Sequence, residues 1–170
     1  MLTSSVTKLT VVLEWMAAVT LSLMALHVLA DVIGRQLFGQ PAPATTEVVA
    51  YYYMVAAVFL PLPFVELRNR SIAVDLFYNL FPRGLQRASI AVATLASAVF
   101  WGMLTFKASF DAIEAFEKGE MVDGTYTVPI WPMRFLLPLA FGLATVVVSM
   151  RFVEEAILGR LPEDENAEAI

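Results

Sequence analysis

Charged residues fall along this chain in narrow clusters, and long uncharged stretches run between them. The clearest stretch lies between Glu47 and Glu66: Val48–Val65 carries no charge. At 1.5 Å rise per residue it extends about 27 Å, close to the roughly 30 Å of a bilayer's hydrocarbon core. Glu66, Arg68, Asn69 and Arg70 close it. The pattern then changes. Ser71, Asp75 and Asn79 recur every four residues and share one helical face, while Ile72, Leu76 and Leu80, flanked by Phe77 and Phe81, fill the other. Pro82 stops the segment. It is too short to span a membrane, and its apolar face suits the headgroup boundary or a docked partner.

Three further apolar runs complete the pattern, placing spans at about 11–33, 47–66, 87–110 and 130–151, with the interfacial helix at about 71–81. The first span follows Lys8; a cleaved signal peptide is the competing reading, and the acid Glu14 within the run, together with the run's length, argues against it. Gly39, Pro41 and Pro43 break the chain before the second span, where Thr45 or Thr46 is a candidate cap and Glu47 sits in the first turn, at the positive end of the helix dipole. Tyr51, Tyr52 and Tyr53 then point in three directions, so at least one is expected to face protein. Pro61 and Pro63 predict a kink. The third span is uncharged from Ala88 to Phe106 and rich in alanine, which permits close helix approach in lipid. Lys107/Asp111 and Glu114/Lys118 are spaced as i, i+4 pairs on its extension, with Gly119 a C-cap and Asp123-Gly124 a turn. Pro129 and Pro132 open the fourth span, Pro138 should kink it, and Arg151 ends it. These elements make residues 1–160 a single all-α integral membrane domain, followed by an acidic, disordered tail at 161–170.

Composition agrees with this reading. The 170 residues are 59% hydrophobic and 16% charged, against about 25% charged in soluble domains. Mean hydropathy is +0.71. The net charge of -5 owes much to the tail and the loop after the third span, and no basic aromatic patch suggests nucleic acid. Absence of cysteine removes disulfides, thiolate nucleophiles and cysteine metal sites, and leaves the redox compartment open. With four spans, Lys8, Arg68, Arg70, Arg83, Arg87, Arg151 and Arg160 share one side, against Arg35, Lys107, Lys118 and Arg134 on the other. The positive-inside rule therefore puts both termini in the cytoplasm.

Candidate chemistry is sparse. His27, Asp31 and Arg35 form an i, i+4 stripe near the end of the first span, with Asp placed favourably before Arg. They read as an interfacial anchor or as a polar contact to a partner helix. Glu14 either snorkels or pairs with a neighbour's cation. No nucleophile triad, paired metal ligands or glycine-rich phosphate loop is evident. The single histidine leaves no bis-histidine haem site, so no cofactor is expected. A non-catalytic membrane subunit follows from these features. The alternatives are a self-associating four-helix channel or transporter and the membrane anchor of a redox complex.

The order of features resembles the small membrane subunit, of DctQ type, of tripartite ATP-independent periplasmic (TRAP) transporters. Arg35, a Pro-containing loop and Glu47 come first. Arg68, Arg70, Val74, Asp75 and Pro82 follow, and then Val128-Pro129-Ile130-Trp131-Pro132 with Pro138 and Phe141. The chain departs from the family's usual Trp and paired acids at Thr45 and Thr46, and from its usual His at Ser71. The resemblance implies a bacterial inner-membrane, multi-pass protein that braces a large multi-span subunit. In such a system the large subunit moves an organic acid by sodium symport and a periplasmic substrate-binding protein delivers it. Glu14, His27, Asp31, Arg35, Glu47, Arg68, Arg70 and Asp75 are the expected partner-binding or anchoring residues, with phospholipids at the subunit interface.

Overall fold

A computed structural model describes residues 2–68 and 82–153. The interfacial helix expected at 71–81, with Arg70 and Asp75, and the tail at 161–170 lie outside the described residues. Within them, four helices are long and apolar enough to cross a membrane. Helix α1 is Leu2–Phe38, α2 is Thr45–Leu67, α3 is Arg83–Lys118 and α4 is Trp131–Phe152. A short antiparallel hairpin joins α3 to α4, with strand β1 at Met121–Asp123 and β2 at Thr127–Pro129. The sequence predicts a turn there but no strands. Three-residue strands leave too little alternation for a period-two signal.

Polar side chains inside the helices satisfy themselves locally, as lipid requires. Thr20 and Ser22 donate to the carbonyls of Met16 and Ala18, at 2.8 and 3.0 Å. Buried Thr10 donates to the Thr7 carbonyl at 3.0 Å.

The hydrogen bonding of helix α2 is interrupted twice. The helix opens with an α-turn over Thr45–Val48, widens to a π-helix over Val49–Tyr53, resumes as Met54–Phe59 and restarts as Leu62–Leu67. Prolines 61 and 63 explain the second interruption: neither offers an N–H to the carbonyl four residues back. The chain repairs the break with bonds from the Phe64 and Val65 amides to the Pro61 carbonyl, both 3.0 Å. The π segment carries no glycine or proline and has no counterpart in the sequence reading. In α4 the break falls at Phe135, between Trp131–Arg134 and Leu136–Phe152. Pro138 cannot bond the Arg134 carbonyl, so the discontinuity sits one turn before the proline. Gly119 ends α3 in the left-handed region (φ 57°), where a side chain would be strained, and the Glu120 amide bonds back to the Ala115 carbonyl at 2.9 Å.

The extended contacts follow the order α1, α2, α4, α3. Small residues set the closest contact, between α3 and α4. Ala108, Ala112 and Ala115 are buried on α3, and Ala140, Ala144, Val147 and Val148 on α4. Thr105 and Thr145 meet across this seam, hydroxyl to hydroxyl at 3.2 Å. Far from the hairpin, the Trp101 indole donates to the Glu66 carboxylate at 3.2 Å, and the Arg151 guanidinium bonds the Glu66 carbonyl at 3.4 Å. One residue thus ties the far end of α2 to both α3 and α4.

Ala144 is fully buried in the alanine seam, so Ala144→Leu should overpack it and cost about 1–3 kcal/mol. Thermal unfolding of the detergent-solubilised protein checks this, with Val146→Leu on the exposed face of α4 as the control expected to leave the midpoint unchanged.

Candidate functional site

The polar residues of the first two helices converge at the hairpin end. Helix α1 overshoots α2 there, and the chain returns through Gly39–Ala44. Ala44 adopts a left-handed conformation (φ 57°), unusual for a residue with a Cβ. Asp31 holds this return. Its Oδ1 accepts the Ala42 amide at 2.8 Å, and its Oδ2 accepts Arg35 Nε at 2.9 Å. The Asp31 residue is only 6% exposed, so an unpaired carboxylate there would be costly. The Arg35 side chain remains 56% exposed. Neither Thr45 nor Thr46 caps α2 with its side chain. Thr45 instead donates to the Ala42 carbonyl at 3.2 Å and lies 3.4 Å from His27 Nε2. The imidazole also packs edge-on against Tyr53, with ring centroids 5.8 Å apart.

Glu47 makes the second half of the site. It is 7% exposed and reaches across to the hairpin turn, where Oε1 accepts the backbone amides of Thr125 at 2.7 Å and Tyr126 at 3.4 Å. The turn fits this carboxylate closely. A Cβ on Gly124 would stand 2.1 Å from Glu47 Oε1, well inside contact distance. The Tyr52 hydroxyl donates to the Pro129 carbonyl on the same hairpin. The π segment accounts for this geometry: its wider turn changes the helical phase, Tyr52 faces the hairpin, Tyr53 faces His27, and Tyr51 stays exposed. At the hairpin's base, Arg134 grips Glu120 with two bonds, 2.9 and 3.1 Å.

The structure therefore brings together four of the sequence-predicted residues: His27, Asp31, Arg35 and Glu47. It leaves two apart. Arg68 lies at the other end, its guanidinium 5.0 Å from the Phe64 ring centroid. Glu14 lies about a third of the way along α1, half-buried, and makes no polar contact among the described residues. Asp31 and Glu47, expected as partner-binding or anchoring residues, take donors from within this chain: Ala42 and Arg35 for the first, Thr125 and Tyr126 for the second. Sequence reasoning missed Tyr52, Gly124, Glu120 and Arg134. The partners of Tyr52 and Gly124 lie nearly eighty positions away, and Glu120 meets Arg134 only because the hairpin folds the chain back; the Asp123-Gly124 turn signal and the three-way tyrosines were the hints at that end of the network.

Glu47→Ala should free the hairpin. Losing a charge-assisted bond of about 1.5–3 kcal/mol corresponds to roughly tenfold or greater loss of protection at the Thr125 and Tyr126 amides. Hydrogen exchange reads this directly. Gly124→Ala should do the same in the wild-type background and add little on top of Glu47→Ala, because both changes break one contact.

Comparison with known proteins agrees with the geometry. The family model "Tripartite ATP-independent periplasmic transporters, DctQ component" matches residues 24–157, from just before His27 to beyond the end of α4. No curated protein and no solved structure matches the chain. Four spanning helices, and a match over most of the chain that includes the hairpin, His27, Asp31, Arg35 and Glu47, place this chain in the DctQ family, the small membrane component of TRAP transporters.

Proposed function

We propose that this chain is the static, non-catalytic brace of a sodium-coupled organic-acid uptake system in a bacterial inner membrane. Its termini and the Arg68 end face the cytoplasm, and the hairpin faces the periplasm. DctQ membership carries association with a large membrane subunit and a periplasmic binding protein. The bracing role rests on one observation: the polar residues at the hairpin end are spent on holding this chain's own elements together. Asp31 ties α1 to the return loop and Glu47 ties α2 to the α3–α4 hairpin. A network closed in this way suits a rigid support and leaves, among the described residues, no chain of open ionisable groups for carrying a substrate or a proton.

Arg35 is the member of the network with capacity to spare. One of its nitrogens holds Asp31 while most of the side chain stays exposed, so it is the contact offered to the large subunit or to a phospholipid headgroup at that interface. Arg68 has the same potential at the opposite end. Arg70 and Asp75 retain the anchoring role that their positions in the chain suggest.

Two measurements test this reading. Proteoliposomes holding this chain alone should show no sodium-driven uptake of organic acids, and adding the large subunit and the binding protein should restore it; uptake by the chain alone would overturn the brace. Arg35→Ala should lower co-purification with the large subunit several-fold while membrane insertion stays at the wild-type level. Equal yields would remove Arg35 from the interface.

A further inference from the structure

Each helix carries one uncharged run bracketed by charges: Trp15–Ala30 on α1, Val48–Val65 on α2, Ala88–Phe106 on α3 and Phe135–Met150 on α4. In a bundle standing upright in the bilayer these runs would lie side by side. The contacts set a different register. Leu13 and Ala17 share a buried cluster with Leu60 and Ala56. The centre of the α1 run therefore lies about 9 Å nearer the hairpin end than the centre of the α2 run. The Phe59 and Phe141 rings meet at 5.5 Å, which sets the α4 run about 6 Å further from the hairpin than the α2 run. The Thr105–Thr145 contact at 3.2 Å sets the α3 run about 16 Å further still.

The stagger has one sign at every step of the row α1, α2, α4, α3. It totals about 31 Å over three helix spacings of roughly 9 Å each. An upright bilayer would centre near Glu14 on α1 and near Lys107 on α3. Glu14 has no polar partner among the described residues, and the Lys107 side chain is 74% exposed. Both would then stand in acyl chains, where charge is strongly disfavoured.

We infer that the bundle crosses the bilayer obliquely, with its helices leaning roughly 30–40° from the normal, at the upper end of the range for membrane helices. Lipid tails then cover the half of α3 that projects beyond α2 and α4, including Leu95 and Val99. The same lean carries Glu14 towards one boundary and Lys107, Asp111, Glu114 and Lys118 towards the other. Removing the whole stagger would take about 50°, at which the runs become too short to cross; snorkelling side chains take up the remainder. The two longest helices fit this placement, since α1 and α3 offer candidate spans of 33 and 35 residues, more than an upright crossing of about 20 residues uses.

The chain has no cysteine, so single labels are unambiguous. Leu95→Cys and Ile113→Cys, both at exposed positions of α3, are spin-labelled in the complex with the large subunit in lipid nanodiscs. Collision with oxygen and with a water-soluble nickel chelate gives the depth of each label. In the oblique bundle position 95 lies nearer the midplane than position 113. An upright bundle reverses the order, and that result overturns the inference. A position 95 shielded from both reagents overturns it as well, because protein rather than lipid then covers that half of α3.

Discussion

A bilayer supplies no water to a buried polar group, so every carboxylate at a helix end must find donors in protein or reach the surface. This constraint organises the hairpin end of the molecule. Asp31 and Glu47 lie on different helices and are nearly inaccessible. Each is satisfied by backbone amides of a connecting segment, Ala42 for the first and Thr125 with Tyr126 for the second. The consequence runs beyond charge balance. A loop whose amides are held by a helix side chain can no longer move independently of that helix. Two loops that could have been slack become struts, and the four helices are fixed at one end by bonds that bypass lipid packing altogether.

Packing within lipid would not have sufficed, because apolar burial drives little association there. The α3–α4 seam relies on close approach of alanines and on the Thr105–Thr145 contact. Contact between α1 and the rest is thinner, confined largely to α2. Most of the large apolar side chains of α1, among them Trp15, Leu26 and Leu29, face outward. A helix with so little seam needs its ends tied, and Asp31 with His27 provides the tie nearest the hairpin. The proposed bracing role asks for a unit that keeps its shape while a neighbour moves, and these end-ties are the features that supply such stiffness.

The helices were legible because charge spacing and span length are local properties, read from a few dozen consecutive residues. The Asp31–Arg35 pair was legible for the same reason, as were Lys107 with Asp111 and Glu114 with Lys118. The partners of Glu47 were not. Its carboxylate bonds backbone amides nearly eighty positions away, and an amide has no sequence signature. Gly124 shows why: it reads as a turn residue, while its lack of a Cβ also makes room for that carboxylate. The π segment was hidden differently. Three consecutive tyrosines promise only that at least one faces protein, and two of them serve as internal contacts once the wider turn shifts their phase. Thr45 shows competition of the same kind, because its hydroxyl prefers the return loop to capping its own helix.

The stagger of the apolar runs links these observations to the membrane. Helices packed through an alanine seam have a register set by side-chain fit, and that register takes no account of where each helix's charges lie. The bilayer takes account of the charges alone. When the two disagree by a few residues, long side chains absorb the difference; when they disagree in the same direction at every step, the whole body must lean. The hairpin ties then acquire a second purpose. A leaning bundle is pulled by lipid towards sliding its helices upright past one another. The Glu47 bond to the α3–α4 hairpin and the Glu66 contacts with Trp101 and Arg151 resist that sliding at opposite ends of α2. A support of this kind would hold its slant against the membrane, and a large subunit packed on it would meet a surface of constant inclination.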